Sequence, residues 1–241
     1  MCGRYGRRAD KQRIAEWMDA HEDNIFDDSY FAPSFNIAPQ SIQPVVRIGR
    51  DTGEPELIVM KWGLVPFWAQ DSKVGFSTIN AKAETIATSP AFRGPWTSRR
   101  CLVPAEWSYE WKKVDEKTKQ PHAIGLQDGS LFAFAGLSDR WKDRGTGEVL
   151  ETYTIITTDP NELTQTIHDR MPVILARKDY ERWLTANDPA HLPVDLLKPY
   201  PAEAMKAWKV GKGVGNTRND DPSLIEPAHD EEPGQQLALF G

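Results

Sequence analysis

The opening Met1-Cys2-Gly3-Arg4-Tyr5 places a cysteine one residue from the chain start, so loss of Met1 leaves a single residue carrying both an α-amine and a thiol. This 1,2-aminothiol has a chemistry no internal cysteine shares. The amine condenses with an aldehyde to an imine, and the thiol closes on the same carbon to a five-membered thiazolidine. No basic stretch followed by an apolar run, cleavage site or transit-type region stands ahead of Cys2, and aminopeptidases remove Met before small residues, so Cys2 is the expected mature start. An aldehyde-bearing substrate is the class this end of the chain points to, with an incidental cysteine as the alternative.

The elements that must position such a nucleophile follow from residue patterns. Asp10 can cap a short helix whose apolar residues Ile14, Trp17 and Met18 share a face. Residues 43–48 and 57–62 flank Asp51-Thr52-Gly53, a hairpin signal. Further strands are expected at 101–103, 107–111, 122–126, 131–135 and 153–157, and helices at 81–88, 161–168 and 179–186. Strands joined by short turns, with few helices between, predict one α+β domain over residues 1–215: a curved, mainly antiparallel, barrel-like sheet with peripheral helices. From 216 to 241, Pro, Asp and Glu prevail with little to bury, so a disordered acidic tail is expected.

The length, 241 residues, suffices for one core, and no apolar run approaches a membrane-spanning length. Two cysteines, Cys2 and Cys101, cannot build a disulfide framework, which favours a reducing, cytoplasmic setting. The net charge is −6, but the tail from Thr217 holds six acidic residues against Arg218, so the body is close to neutral. Arg4, Arg7, Arg8, Lys82, Arg93, Arg99 and Arg100 form local basic groups that could follow phosphates or be solvated. There is no phosphate-binding Gly-rich loop and no Cys/His spacing for zinc, so neither a metal nor a cofactor is expected.

Four segments stand apart from ordinary core composition: Trp62-Gly63-Leu64-Val65-Pro66-Phe67-Trp68, Ile79-Asn80-Ala81-Lys82-Ala83-Glu84-Thr85, Ala105-Glu106-Trp107-Ser108-Tyr109-Glu110-Trp111 and Ile167-His168-Asp169-Arg170-Met171-Pro172. With the Met-Cys-Gly-Arg start, and in this order over roughly 2–210, they resemble the SRAP (SOS-response-associated peptidase) family, whose members link covalently to abasic sites in single-stranded DNA. The resemblance implies a sensor of such sites that forms a thiazolidine through Cys2 during DNA repair, with associated lyase and self-processing activity. Glu110 and His168 are then the acid/base pair that opens the closed sugar, and Asn80 orients the nucleophile and the abasic residue. A carboxylate between Tyr109 and Trp111 should be partly desolvated, which moves its pKa toward useful proton transfer. Arg4, Lys82 and Arg170 would hold phosphates, and Trp68 and Trp111 would stack on bases. Lys82 stands where the family usually has arginine and Trp107 where it commonly has glycine, and Pro90 interrupts a stretch where some members carry a basic residue. His21, His122, His191 and His229 are read as structural.

The chain ends Gln235-Gln236-Leu237-Ala238-Leu239-Phe240-Gly241. This resembles the peptide with which bacterial replication and repair proteins dock on the sliding clamp: Leu237, Leu239 and Phe240 would supply apolar anchors and Gln236 the register. An apolar terminus folded back on the domain is the alternative. The expected partners are thus single-stranded DNA with abasic sites and the clamp, for a monomer working near the nucleoid. Two other functions remain open: a cysteine-type peptidase using Cys2 and His168, and a non-catalytic single-strand-binding adaptor tethered to the clamp.

Overall fold

The computed structural model describes residues 2–22 and 25–228. The strands are β1 (Tyr5–Arg7), β2 (His21–Glu22), β3 (Ser34–Ile37), β4 (Ile42–Ile48), β5 (Pro55–Trp62), β6 (Asn80–Lys82) and β7 (Arg100–Ala105), then β8 (Trp107–Lys113), β9 (Lys119–Leu126), β10 (Phe132–Lys142), β11 (Val149–Thr158), β12 (Met171–Pro172), β13 (Ile174–Leu175) and β14 (Met205–Lys209). Helices α1 (Lys11–Met18), α2 (Arg93–Ser98) and α3 (Tyr180–Thr185) lie among them. None is long and apolar enough to cross a membrane.

Five strands close on themselves. β4 pairs with β5 and β7, β7 with β10, β10 with β11, and β11 returns to β5 through a short parallel contact, Thr152 to Lys61 and Tyr153 to Trp62. A second, antiparallel sheet runs β14-β9-β8-β1-β3. The segment 100–113 belongs to both, passing from β7 to β8 at Glu106. β7 is buried throughout because each face is covered: Cys101, Val103 and Ala105 join a cluster shared with Tyr5, Ile124 and Met205 of the second sheet, while Leu102 joins a cluster containing Ile14, Trp96 and Trp183 of the helices.

Asp10 caps α1 as expected, its side chain accepting from the Arg13 N–H. The 43–48/57–62 hairpin and α3 also form where the pattern puts them, and β10 and β11 run longer than predicted. Two helices do not form. Residues 80–82 instead pair in parallel with Ile155–Thr157 of β11, followed by a single 3-10 turn at Ala83–Thr85; the ladder outweighs the helix propensity of Ala81, Lys82, Ala83 and Glu84. The predicted helix at 161–168 is one 3-10 turn at Thr164–Thr166, because Asn161 Oδ1 accepts from the Thr164 N–H at 2.9 Å and ties the chain into a local turn. Residues 216–228, assigned by composition to the tail, pack on the second sheet: Leu224 is buried with Trp107, Tyr109 and Val214, and the Ala228 N–H donates to the Lys209 carbonyl.

Several arginines act as internal fasteners. Arg7 donates to the carbonyls of Ala9, Tyr30 and Phe31, and Arg100 to those of Trp96, Trp183 and Ala186. Glu106 closes the crossing point: its Oε2 accepts the backbone N–H groups of Arg8 and Ala9, fixing where β1 ends against β8. Beside it, Gly6 faces Trp107 so closely that a Cβ would sit 2.5 Å from the indole. Gly6→Ala is therefore expected to cost about 1–3 kcal/mol and lower Tm by several degrees in scanning calorimetry. Gly211→Ala, with nothing within 4 Å of the added carbon, should leave Tm nearly unchanged.

Candidate functional site

β1 delivers the amino-terminal residues to β8. Tyr5 pairs with Ser108 and Gly6 with Trp107, and the Tyr109 N–H donates to the Arg4 carbonyl at 2.9 Å. Continuing this register backward sets Gly3 opposite Glu110 and Cys2 opposite Trp111, so Cys2 is one residue from the Glu110 pairing position. The thiol is 0% exposed, in the same apolar cluster as Tyr5, Tyr153, Ile155 and Met171. Burial pushes its pKa far up, the Glu110 charge pushes the same way, and the amino-terminal charge and the Arg4 N–H work against them. At neutral pH Cys2 is therefore a thiol, not a thiolate.

Glu110 is 4% exposed. Loss of solvation drives its pKa up to about 7, although the positive charge of the amino terminus favours the ionised form. Its Oε2 lies 4.0 Å from His168 Nε2. On the other side of the imidazole, Nδ1 accepts from the Arg170 N–H at 3.1 Å and lies 2.8 Å from Asp169 Oδ1. Partial burial and the amino-terminal charge lower the pKa of His168, which favours the neutral imidazole. A carboxyl poised near 7, an imidazole and a thiol therefore share one partly buried end of the sheet.

Asn80 sits on β6 opposite Ile155, a neighbour of Cys2 in the apolar cluster. Its Nδ2 donates to the carbonyls of Ile79 and Ile155, while its buried Oδ1 accepts no hydrogen bond among the described residues. An idle buried acceptor suits a group whose partner arrives with the substrate.

The residues expected to bind phosphates divide into two kinds. Lys82 is exposed. Arg4 is buried, with Nη1 donating to Asn36 Oδ1 at 2.6 Å and the Val214 carbonyl at 2.8 Å, and its guanidinium lies over the partly buried Trp111 ring. Arg170 makes a two-pronged pair with Glu84 at 2.7 and 3.0 Å and also reaches Asp159 and the Thr157 carbonyl. Both arginines are engaged within the protein, and Arg170 thereby holds the His168 loop against β6 and β11. Trp68 is 46% exposed next to Phe67 at 65%, forming with Pro90, Ala91 and Arg93 a shallow cleft of about 430 Å³. Residue type gave no hint of Glu106, Glu84 or the Tyr5–Tyr153 hydroxyl pair at 2.8 Å, because each acts through long-range contacts. Gln236, Leu237, Leu239 and Phe240 lie outside the described residues.

The sequence matches the family model described as "SOS response associated peptidase (SRAP)" over residues 1–217. It is 43% identical over 228 residues to the abasic site processing protein YoqW of Bacillus subtilis, covering 94% of this chain and 99% of that one. It is 32% identical to the abasic site processing protein HMCES of Gallus gallus, over 92% of this chain and 72% of that one. A crystal structure of a protein from Bacteroides thetaiotaomicron superposes with a TM-score of 0.86 at 31% identity, covering 95% of this chain and all of that one.

The raised Glu110 pKa has a consequence for stability. Between the ordinary glutamate value and about 7 the folded chain holds a proton that the unfolded chain releases, so stability falls as pH rises through this window and the loss is complete above it. The full penalty is on the order of 3 kcal/mol. Glu110→Gln is expected to raise Tm relative to wild type at pH 8 and to lose that advantage near pH 4.5; an offset independent of pH would contradict the assignment.

Proposed function

The chain belongs to the SOS response associated peptidase (SRAP) family, and we propose that it captures abasic sites in single-stranded DNA as a thiazolidine on Cys2. The observation that carries this reading is the buried Glu110 carboxyl, poised near pH 7, 4.0 Å from the His168 imidazole and within electrostatic reach of the Cys2 thiol. Names of relatives as distant as Bacillus and chicken support the substrate class.

The abasic sugar rests mainly as a cyclic hemiacetal. Opening it requires a proton delivered to the ring oxygen and one taken from the anomeric hydroxyl, a transfer that a carboxyl with pKa near 7 and an imidazole can share. Once Met1 is removed, the Cys2 amine adds to the exposed aldehyde carbon, and protonation of the resulting hydroxyl releases water and leaves a protonated imine. The thiol then adds to the imine carbon: a carbon–sulfur bond forms, the sulfur proton leaves through the same acid/base pair, and the nitrogen lone pair is restored. Because burial keeps the resting thiol neutral, the acid/base pair must take its proton as the sulfur bonds. The Asn80 acceptor would hold the sugar or the amine in line. If ring closure is slow, the imine permits β-elimination, so a minor lyase activity accompanies capture.

A peptidase would need a thiolate–imidazolium pair. Here burial raises the thiol and the imidazole faces Glu110, which favours capture. Intact-protein mass spectrometry after incubation with an oligonucleotide bearing one abasic site is expected to give a DNA-sized mass increase that survives denaturation. Cys2→Ala should abolish it, and Glu110→Gln should slow it by about 100-fold or more. A non-catalytic adaptor would bind the strand and give no adduct.

The tail completes the proposal. Gln236, Leu237, Leu239 and Phe240 are proposed to dock on the bacterial sliding clamp and so bring the domain to replicating nucleoid DNA. Deleting residues 236–240 is expected to abolish clamp binding in surface plasmon resonance while crosslinking continues; retained affinity would refute it.

A further inference from the structure

The rim of the second sheet beside Glu110 is basic. Glu110, His122 and Lys209 are direct cross-strand neighbours on β8, β9 and β14, so their side chains leave the sheet on one face. With neighbouring strands about 4.8 Å apart, the His122 backbone lies one step and that of Lys209 about 10 Å from Glu110. Exposure grows along the row: Glu110 is buried, His122 half-buried and Lys209 exposed. Lys112, two residues beyond Glu110 and therefore on the same face, is exposed as well.

These groups act on one another. Burial lowers the basicity of His122, and the charges of Lys112 and Lys209 lower it further, while the Gln120 carbonyl, 3.0 Å from Nδ1, works the other way. Lys119, at the start of β9, acts with the same sign on His168. Lys112 and Lys209 thus place two positive charges within electrostatic reach of His122, a setting that favours an anion. The body of the chain is nearly neutral, so attraction for a polyanion must come from local arrangements such as this one. Meanwhile Arg4 Nη1 and both terminal nitrogens of Arg170 already donate within the protein.

We propose that the row from Glu110 through His122 to Lys209, with Lys112 alongside, is a phosphate track that holds the backbone of the DNA strand on one side of the abasic residue. It rests on the capture reading above and adds to it a direction: the strand leaves the buried acid across β9 and β14 into solvent. Contacts of this kind fix position without reading bases, so the track is indifferent to the sequence beside the lesion.

The test uses the full chain, wild type and Lys112→Gln/Lys209→Gln, and oligonucleotides with one tetrahydrofuran abasic analogue, which lacks the aldehyde and reports reversible binding. The analogue carries a single nucleotide on each side, or is extended by several on the 5′ or the 3′ side. Wild type is expected to gain affinity from extension on one side, and the double variant to lose on the order of 10-fold of that gain, with the slope of log K against log salt shallower by about 1.4. Wild-type affinity and slope in the double variant would overturn the track. So would an equal loss on short and extended strands, which marks general damage. Crosslinking of wild type to an aldehyde-bearing oligonucleotide, run alongside, separates failure of the track from failure of the capture reading.

Discussion

Burying an ionisable carboxyl is costly, and this fold does so at Glu110, one residue past the point where the β1–β8 pairing brings the amino-terminal residues alongside. The cost is tolerable because the neutral acid is the form that prevails up to about pH 7. Long-range contacts fix the elements that carry this carboxyl and the neighbouring imidazole. Glu106 pins the end of β1 through two backbone N–H groups, Gly6 lets the strand lie against Trp107, and the Glu84–Arg170 pair holds the His168 loop down. A looser attachment would admit water, return Glu110 to the ordinary glutamate range and leave no acid able to give and take a proton at neutral pH.

The same accounting explains the division of labour among cations. Guanidinium groups, with five donors in a rigid fork, satisfy several buried carbonyls at once, and Arg7 and Arg100 do so inside the core. Lysines, strongly hydrated point charges, remain at the rim as Lys82, Lys112 and Lys209. The buried arginines thus shape the interior, while these lysines carry positive charge at its rim.

Local patterns were legible in the sequence and long-range ones were not. The Asp10 cap and the 43–48/57–62 hairpin depend on residues close in the chain, and both stand where their patterns put them. Residues 81–88 read as a helix because Ala, Lys and Glu favour one, yet Asn80–Lys82 pairs with β11, far away in sequence. The parallel contact that closes the five-strand ring leaves no local mark either. At the site, Cys2, Glu110 and His168 stood out by residue type and motif, and the fold places the latter two 4.0 Å apart. Arg4 and Arg170 stood out by residue type, while their partners inside the protein, Asn36 and Glu84, are distant in sequence and left no local mark. His122 was read as structural, and only strand register sets it beside Glu110 and Lys209.

The central claim is that both nucleophiles of Cys2 act on one carbon, and Cys2→Ser tests it most directly because it keeps the amine and removes the thiol. Incubated with an abasic single strand, Cys2→Ser should give an adduct that survives denaturation only when borohydride reduces the imine, whereas wild type gives a stable adduct without reductant. A stable, unreduced adduct from Cys2→Ser would show that the thiol closes no ring and would contradict the account.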